Sequence, residues 1–297
     1  MLNWPGIPDD AIEFFYKVFA EANRIVSERL INVPNIRETS LDDGLIEAII
    51  PSCAPRLLPS GALVQMDVHN IGGPRRLYSW ETADIAILVF VYRAEALIAQ
   101  KIGLLQSKRL YPENNDVQDE DPVGFQYGMN EFLRRDPHSP LHKLDVQYDF
   151  VDGCKYAALK AGSKQVAAMK DMNNVFGEVV YYLLYNPPTV PSSTRYPVKE
   201  YVRFEEAPVG CRVRTTGAVE TSLEALKEGE SPTYAQLDGA QATGNWRLES
   251  WVVDLLKCNV GQQFDESREE KIAQMLERRS GPIGAAIAIS IALPKDG

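Results

Sequence analysis

The chain has 297 residues, enough for one large domain or two modest ones, and 45% hydrophobic with 24% charged residues is typical of a globular protein. No stretch reaches the ~20 apolar residues of a membrane span, and the N-terminus lacks the regions of a secretory signal. The net charge of −10 argues against a general polyanion binder, because phosphate contacts dominate nucleic-acid affinity. We therefore expect a cytoplasmic protein without membrane association.

Four cysteines lie far apart in the sequence and form no CxxC pair: Cys53, Cys154, Cys211 and Cys258. A structural zinc site needs closely spaced ligands, and a disulfide framework is typical of short secreted chains. We therefore expect four reduced thiols.

Apolar residues at helical spacing predict a first amphipathic helix over residues 9–30. Ser40 precedes a second periodic segment that ends before Pro51, so we expect Ser40 to be the N-cap of a second helix. Residues 63–69 then have the pattern of a strand.

The middle of the chain contains the clearest strands. Residues 83–93 and 102–109 are rich in β-branched and apolar residues, which favours two strands. A helix is predicted over residues 162–176 and a strand over residues 178–185. From Ser40 the predicted order is therefore helix, three strands, helix, strand.

The last third has a looser pattern. Helices are predicted over residues 247–256 and 267–279, and a closing strand over residues 283–293. We expect these residues either to extend the core or to form a small second module.

Three polar residues fall at related positions in the two middle strands. Asp84 opens the first strand, and Gln106 and Lys108 alternate near the end of the second, so both project from one face. Ser107 lies between them and points to the other face. If the strands pair, a carboxylate, an amide and an ammonium meet at one place.

Hydrolysis of a phosphodiester requires such a set. Oxygen ligands hold a hard divalent cation, the cation activates water, and an adjacent lysine stabilises the charge that develops on the phosphate. Asp84 followed by Gln106-Ser107-Lys108 resembles the PD-(D/E)XK, or restriction-endonuclease-like, nuclease superfamily. The similarity is greatest to the QxK variant of Mrr-like restriction enzymes and of effector nucleases in bacterial antiphage systems.

This resemblance implies an α/β fold with a restriction-endonuclease-like core, helix, three strands, helix, strand, together with an N-terminal helix and a C-terminal extension. It implies catalytic roles for Asp84, Gln106, Lys108 and Glu38, and a Mg²⁺ or Mn²⁺ cofactor. The implied metal ligands are Asp84, Glu38 or Glu81, and the carbonyl of Ser107. The second candidate acid in the preceding helix is Glu47, and Gln165 matches a glutamine that some relatives carry after the lysine strand.

Two departures from the family pattern are visible. Gln106 replaces an acid, which removes a negative charge from the metal shell, and Ala83 stands where a proline would precede the aspartate. A catalytically weak or inactive nuclease-like scaffold subunit of a defence complex is therefore the alternative. A helix-rich interaction protein with a coincidental QxK is a third interpretation.

The predicted function is that of a metal-dependent endonuclease that cleaves DNA in preference to RNA, as an effector of antiphage defence or restriction. Residues 1–200 would form the nuclease domain, and residues 201–297 a C-terminal extension or a partner or assembly module. The Walker motif GxxxxGK[ST] is absent from the sequence, so a protein partner is expected to supply sensing or ATPase function, and a homo-oligomer is possible.

Other polar or aromatic groups have simpler interpretations. His138 and His142 have helical spacing, but Pro137 and Pro140 argue against a helix there. The tyrosines of residues 181–185 are interpreted as sheet packing. Five basic residues could border a DNA groove, although scattered cations are usually surface residues: Arg75, Arg76, Arg93, Lys101 and Arg109.

Overall fold

A computed structural model describes residues 4–71, 83–113, 146–196, 198, 200–238, 244–276 and 283–294. The helices in these ranges are α1 (Asp9–Asn32), α2 (Glu38–Ile49), α3 (Lys164–Phe176), α4 (Thr216–Glu224), α5 (Tyr234–Asp238), α6 (Leu248–Leu256) and α7 (Glu266–Met275). The strands are β1 (Arg56–Leu57), β2 (Leu63–Asn70), β3 (Ala83–Arg93), β4 (Ala96–Arg109), β5 (Val146–Phe150), β6 (Val180–Tyr185), β7 (Ser192–Tyr196), β8 (Arg212–Thr215), β9 (Asn245–Arg247), β10 (Gln262–Gln263) and β11 (Ile283–Leu293).

The fold is mixed α/β and is organised around one mixed sheet. Its strand order is β1-β2-β11-β3-β4-β6-β8-β9, and β10 pairs with β4 beside this path. The pairs β11–β3 and β4–β6 are parallel, whereas the other described pairs of this sheet are antiparallel. Strands β5 and β7 form a separate two-stranded sheet.

The hairpin of β3 and β4 brings the predicted site residues together. A two-residue turn joins the strands, and Ala94 and Glu95 both have positive φ, 49° and 70°. Positive φ at both central residues is the feature of a type I′ turn, whose twist matches that of the flanking strands. The resulting antiparallel register pairs Ile85 with Leu105, so the start of β3 lies beside the end of β4.

The order of elements predicted from Ser40 onward is present along the chain as α2, β2, β3, β4, α3 and β6. The three strands are not consecutive in the sheet, however, because β11 lies between β2 and β3. Strand β11 is a nearly continuous run of alanine and isoleucine in which the isoleucine face is buried and the face of small residues is mostly half-buried. The sheet therefore takes strands from both sides of the boundary predicted at residue 200.

Helix α1 packs against both α2 and α6, and its predicted apolar face is buried. The predicted N-cap of α2 is wrong. The helix begins at Glu38 with Arg37 in the cap position, and Ser40 lies within its first turn. The side chain of Glu38 is bound by groups of β4, so tertiary contacts fix where this helix starts.

Strand β4 begins at Ala96, six residues before the predicted start at residue 102. The other predicted elements agree with the described ones to within a few residues at each end. Residues 277–279, the last part of the predicted charged helix, lie outside the described residues. Within the described part of the chain, no helix combines the length and the apolar character needed to cross a bilayer.

Candidate functional site

The candidate site lies where β3 begins and β4 ends, with α2 next to it. The structure brings together Asp84, Gln106 and Lys108 there, since Gln106 Nε2 donates a hydrogen bond to Asp84 Oδ2. Asp84 is partly exposed, whereas Gln106 and Lys108 are 1% and 3% exposed. The site is thus a largely buried polar cluster that opens to the surface beside Asp84.

Ser107 contributes more to this site than its position in the strand suggests. Its backbone N–H donates to Asp84 Oδ2 at 2.7 Å, and its Oγ lies 2.9 Å from both Asp84 Oδ2 and Asp42 Oδ2. Strand parity predicts a side chain on the opposite face from Gln106 and Lys108. At the strand end the hydroxyl nevertheless reaches the same carboxylates.

Glu38 is one of the three acids considered from the sequence, and it reaches the site. Lys108 Nζ donates to Glu38 Oε1 at 3.0 Å, and the backbone N–H of Arg109 donates to Glu38 Oε2 at 3.1 Å. Glu47 instead forms a surface ion pair with Arg29. Glu81 lies outside the described residues.

Asp42 was not predicted from the sequence. It lies one turn after Glu38 on α2, so the two side chains share a helix face. Asp42 is 9% exposed and accepts a hydrogen bond from the hydroxyl of Tyr185 at 2.7 Å. The i, i+4 spacing from Glu38 is the signal that could have identified it. Glu38, Asp42 and Asp84 are called the carboxylate cluster below.

The electrostatics of the carboxylate cluster follow from its burial. Burial raises the pKa of Glu38; Lys108 opposes this rise and Asp84 adds to it. Burial also raises the pKa of Asp42 well above its ordinary range, and the charges of Asp84 and Glu38 raise it further. Burial alone would lower the pKa of Lys108, but the three carboxylates together raise it.

The Ser107 hydroxyl indicates where a proton is held. A hydroxyl has one proton to donate, and Ser107 Oγ lies 2.9 Å from two carboxyl groups. The raised pKa of Asp42 favours its protonated form, which would donate to the Ser107 oxygen. The three carboxyl groups of the cluster outnumber the single ammonium of Lys108.

One buried polar atom of the site has no hydrogen-bond partner among the described residues. It is Oε1 of Gln106, whose amide N–H binds Asp84. Buried polar atoms are nearly always paired with protein, water or a ligand, so this oxygen marks a place where a further polar group fits.

The oxygen atoms of the site belong to carboxylates and an amide, and a hard cation such as Mg²⁺ prefers ligands of this kind. All three hydrogen bonds to Asp84 end on Oδ2, so Oδ1 is not engaged by them. In the described ranges, however, no group of three or more histidine, cysteine, aspartate or glutamate side chains is arranged to hold a metal ion.

The tyrosine segment is buried within the sheet, as predicted for packing, but Tyr185 also binds Asp42. Gln165 lies on α3, and in the described structure no hydrogen bond joins it to the carboxylate cluster. The sequence candidates that lie outside the described residues are Arg75, Arg76, His138 and His142.

Two of the cations considered for a DNA groove are not surface residues. Lys101 is 1% exposed and Arg109 is fully buried. The guanidinium of Arg109 donates to the carbonyl oxygens of Ile36 and Pro34 and stacks over the ring of Tyr111. These two cations therefore cannot form the rim of a groove, and that prediction is wrong for both.

Comparison with protein-family models, with curated proteins and with solved structures found no match to this chain. The side chains of the site therefore carry the functional assignment.

Proposed function

We propose that this chain is a metal-dependent endonuclease that cleaves phosphodiester bonds in DNA. The observation that supports this most is the convergence of Asp84, Gln106, Lys108 and Glu38 at one strand end, with an excess of negative charge. A buried excess charge is costly unless a counter-ion or proton neutralises it, and a divalent cation supplies that charge.

Each residue has a defined task in this proposal. Asp84 Oδ1, Glu38 and the carbonyl oxygen of Ser107 would hold a Mg²⁺ or Mn²⁺ ion. Such an ion, when bound, polarises a phosphate and lowers the pKa of a water molecule. Lys108 would orient the attacking water and stabilise the charge on the phosphate. Gln106 holds Asp84 in place through its amide N–H.

The net charge of −10 requires a local source of attraction for DNA. A bound cation or a partner subunit can supply it, because the field at a site depends on the nearby charges more than on the total. A protein partner that provides sensing or ATPase function therefore forms part of the proposal, and so does an oligomer that assembles the DNA site from more than one copy.

The test is cleavage of supercoiled plasmid DNA by the purified chain with Mg²⁺ or Mn²⁺, with a structured RNA in parallel. Asp84→Asn keeps the shape of the side chain and removes its charge, and we expect the cleavage rate to fall at least about a hundredfold. Asp67→Asn is the matched control. Asp67 is an exposed acid on β2 whose hydrogen bonds come from Gln65 of the same strand. The Asp67→Asn variant should therefore cleave DNA at the rate of the wild type.

Chelator must abolish the cleavage, and cleavage that survives both chelator and Asp84→Asn contradicts the proposal. Preferential cleavage of the RNA would keep the mechanism and change the substrate.

The alternative is a nuclease-like scaffold that does not cleave. It is favoured by the internal hydrogen bonds of Asp84, which satisfy the carboxylate without a cation, and by the amide at position 106. Calorimetric titration with Mn²⁺ separates the two functions. Binding that Asp84→Asn abolishes supports the nuclease, whereas no binding and no cleavage in the presence of a partner supports the scaffold.

A further inference from the structure

Strand β2 lies near one edge of the main sheet, and described residues cover only part of its outer side. Strand β1 is two residues long and pairs with Leu63 and Val64. The N–H of Met66 donates to the carbonyl oxygen of Cys53 at 3.3 Å. Beyond Met66 no described strand pairs with the outer side of β2, whereas β11 pairs with its other side as far as Asn70.

The backbone groups at this open edge belong to Val68 and Asn70. In an antiparallel pair, successive residues direct their N–H and C=O groups alternately toward and away from the partner strand. The N–H of Ile71 donates to the carbonyl oxygen of Gly284 in β11, and the N–H of Met66 points the other way. Val68 and Asn70 therefore direct their backbone groups away from β11, and in the described part of the chain these groups have no backbone partner. Such an edge is a template for pairing with another chain.

A groove lies between the open edge and helix α2. Its volume is about 540 Å³, within the range of about 300–1,000 Å³ that is typical of ligand sites. Its lining includes Ile46 of α2, Ile50 just after this helix, and Met66 and Val68 of β2. Ile46 and Ile50 are one helical turn apart, and Ile50 is 53% exposed. Apolar surface is therefore available directly beside the unpaired backbone groups.

The charge of the groove is negative. Asp43 and Glu47 of α2 line it, and its described lining contains no lysine or arginine. Both acids are exposed; Glu47 pairs with Arg29, whereas Asp43 forms no ion pair with another described residue. The groove therefore complements a ligand that carries both apolar and basic groups. A second copy of this chain is a poorer match, because its own β2 edge would bring the same acids and like charges repel.

We propose that the open edge of β2 binds an extended segment of a protein partner, which adds a strand to the sheet at Val68 and Asn70. Backbone hydrogen bonds supply the affinity in this mode of recognition, and alternate side chains of the added strand supply the specificity. In an antiparallel arrangement, the partner residue opposite Val68 binds its backbone and also faces the groove. Apolar and basic residues are therefore expected at alternate, groove-facing positions of the partner. This proposal does not rest on the nuclease function.

The test selects ligands from a library of short random peptides displayed on phage, with the purified full-length chain as the target. We expect the enriched peptides to carry apolar and basic residues at alternate positions, with few prolines or acids among them. Fluorescence polarisation measures the affinity of these peptides. Their binding should slow hydrogen exchange of the Val68 and Asn70 amides, because these N–H groups become hydrogen-bonded.

Two variants locate the binding site. Val68→Pro removes the outward N–H and no hydrogen bond to β11, and proline is tolerated on that side of an edge strand. We expect it to lower the affinity for the peptides about fivefold. Asp43→Lys reverses an exposed charge in the groove and should lower the affinity by about as much. Asp171→Lys is the matched control, since Asp171 is an exposed acid on α3, and its affinity should equal that of the wild type.

If Val68→Pro does not fold, Asp43→Lys and the hydrogen exchange decide. The proposal is overturned if no peptide is enriched, if bound peptides leave exchange at Val68 and Asn70 unchanged, or if Asp43→Lys binds them like the wild type. An equal loss of affinity in Asp171→Lys would show attraction to the net charge alone and would also overturn it. So would a dimer of the chain, seen by sedimentation, that Val68→Pro dissociates, because a second copy would then occupy the edge.

Discussion

Strand β4 buries one lysine near its middle and another near its C-terminal end, and only the second lies among carboxylates. Lys108 is 3% exposed and has three carboxylates around it, which together raise its pKa. Lys101 is 1% exposed and has a thiol and an indole ring, and burial lowers its pKa. Burial alone therefore does not determine the state of a lysine; the groups that are buried with it do.

The difference also determines how each surrounding responds to loss of the cation. Among the described residues Lys101 forms no ion pair with a carboxylate, so its removal leaves no carboxylate without a counter-ion. The carboxylate cluster, in contrast, would have to take up protons far above the ordinary pKa of aspartate and glutamate. We therefore expect the surroundings of Lys108 to depend strongly on the cation and those of Lys101 to depend on it little.

The largest effect is expected for Lys108→Met. This substitution leaves the partly buried carboxylates of Glu38 and Asp84 without the buried ammonium of Lys108, and loss of one partner of a buried ion pair costs about 3–5 kcal/mol. Urea unfolding at neutral pH measures the loss. Lys17→Met is the control, since its partner Glu13 is exposed and such a pair contributes at most about 1 kcal/mol. Equal unfolding free energies of Lys108→Met and Lys17→Met would contradict the expected dependence of the carboxylate cluster on Lys108.

The next largest effect is expected for Gly284→Ala, which tests whether the position of Asp84 depends on its neighbouring strand β11. A methyl group added at Gly284 would lie 2.8 Å from the carbonyl oxygen of Asp84, so β11 or the start of β3 must move. We expect Gly284→Ala to lower the unfolding free energy by about 1–3 kcal/mol and to weaken Mn²⁺ binding, because Asp84 moves with its strand.

Gly153→Ala provides the control for this prediction, since an added methyl group there meets nothing within 4 Å. If both glycine variants bind Mn²⁺ like the wild type, the position of Asp84 does not depend on β11.

The position of β11 in the sheet shows which parts of the structure could be predicted from the sequence. Strands β3 and β4 have local patterns, and alternation within β4 correctly placed Gln106 and Lys108 together beside Asp84. The insertion of β11 between β2 and β3 could not be predicted, because pairing between segments so distant in the chain leaves no local signal.

Asp42 was missed for a different physical reason. Its role depends on how α2 is rotated against the sheet, and that rotation follows from the contacts of Glu38 with Lys108 and Arg109. A helical periodicity of apolar residues fixes the buried face only approximately, so an acid near its border can be buried or exposed. Ser40 was wrongly predicted as the cap because these contacts place the cap at Arg37, three residues earlier.

A smaller effect is expected for Asp42→Asn, and its sign is informative. Because the pKa of Asp42 is raised by folding, the folded chain keeps a proton that the unfolded chain loses above the ordinary value of 3.8, so stability falls as pH rises through this window. An asparagine does not titrate and can still accept from Tyr185 and donate to Ser107.

We therefore expect Asp42→Asn to unfold at a higher temperature than the wild type at neutral pH, with a difference that shrinks on acidification. Thermal unfolding followed by circular dichroism at several pH values measures this difference. A variant that is less stable at every pH would show that Asp42 is ionised in the folded chain, and the assignment of the shared proton would then be wrong.

The smallest effect is expected for Lys101→Met, which removes the other buried cation of β4. Replacement of a buried charge by an apolar side chain of similar volume is often neutral or stabilising. Because folding lowers the pKa of Lys101, the unfolded chain binds the extra proton between the two pKa values. The wild type should therefore gain stability as pH rises toward 10.5, the ordinary value for lysine, and Lys101→Met should lack this gain. Urea unfolding from neutral to alkaline pH measures both. If Lys101→Met lowered the unfolding free energy as much as Lys108→Met, the surroundings of both lysines would depend equally on the cation, and the expected difference between them would be wrong.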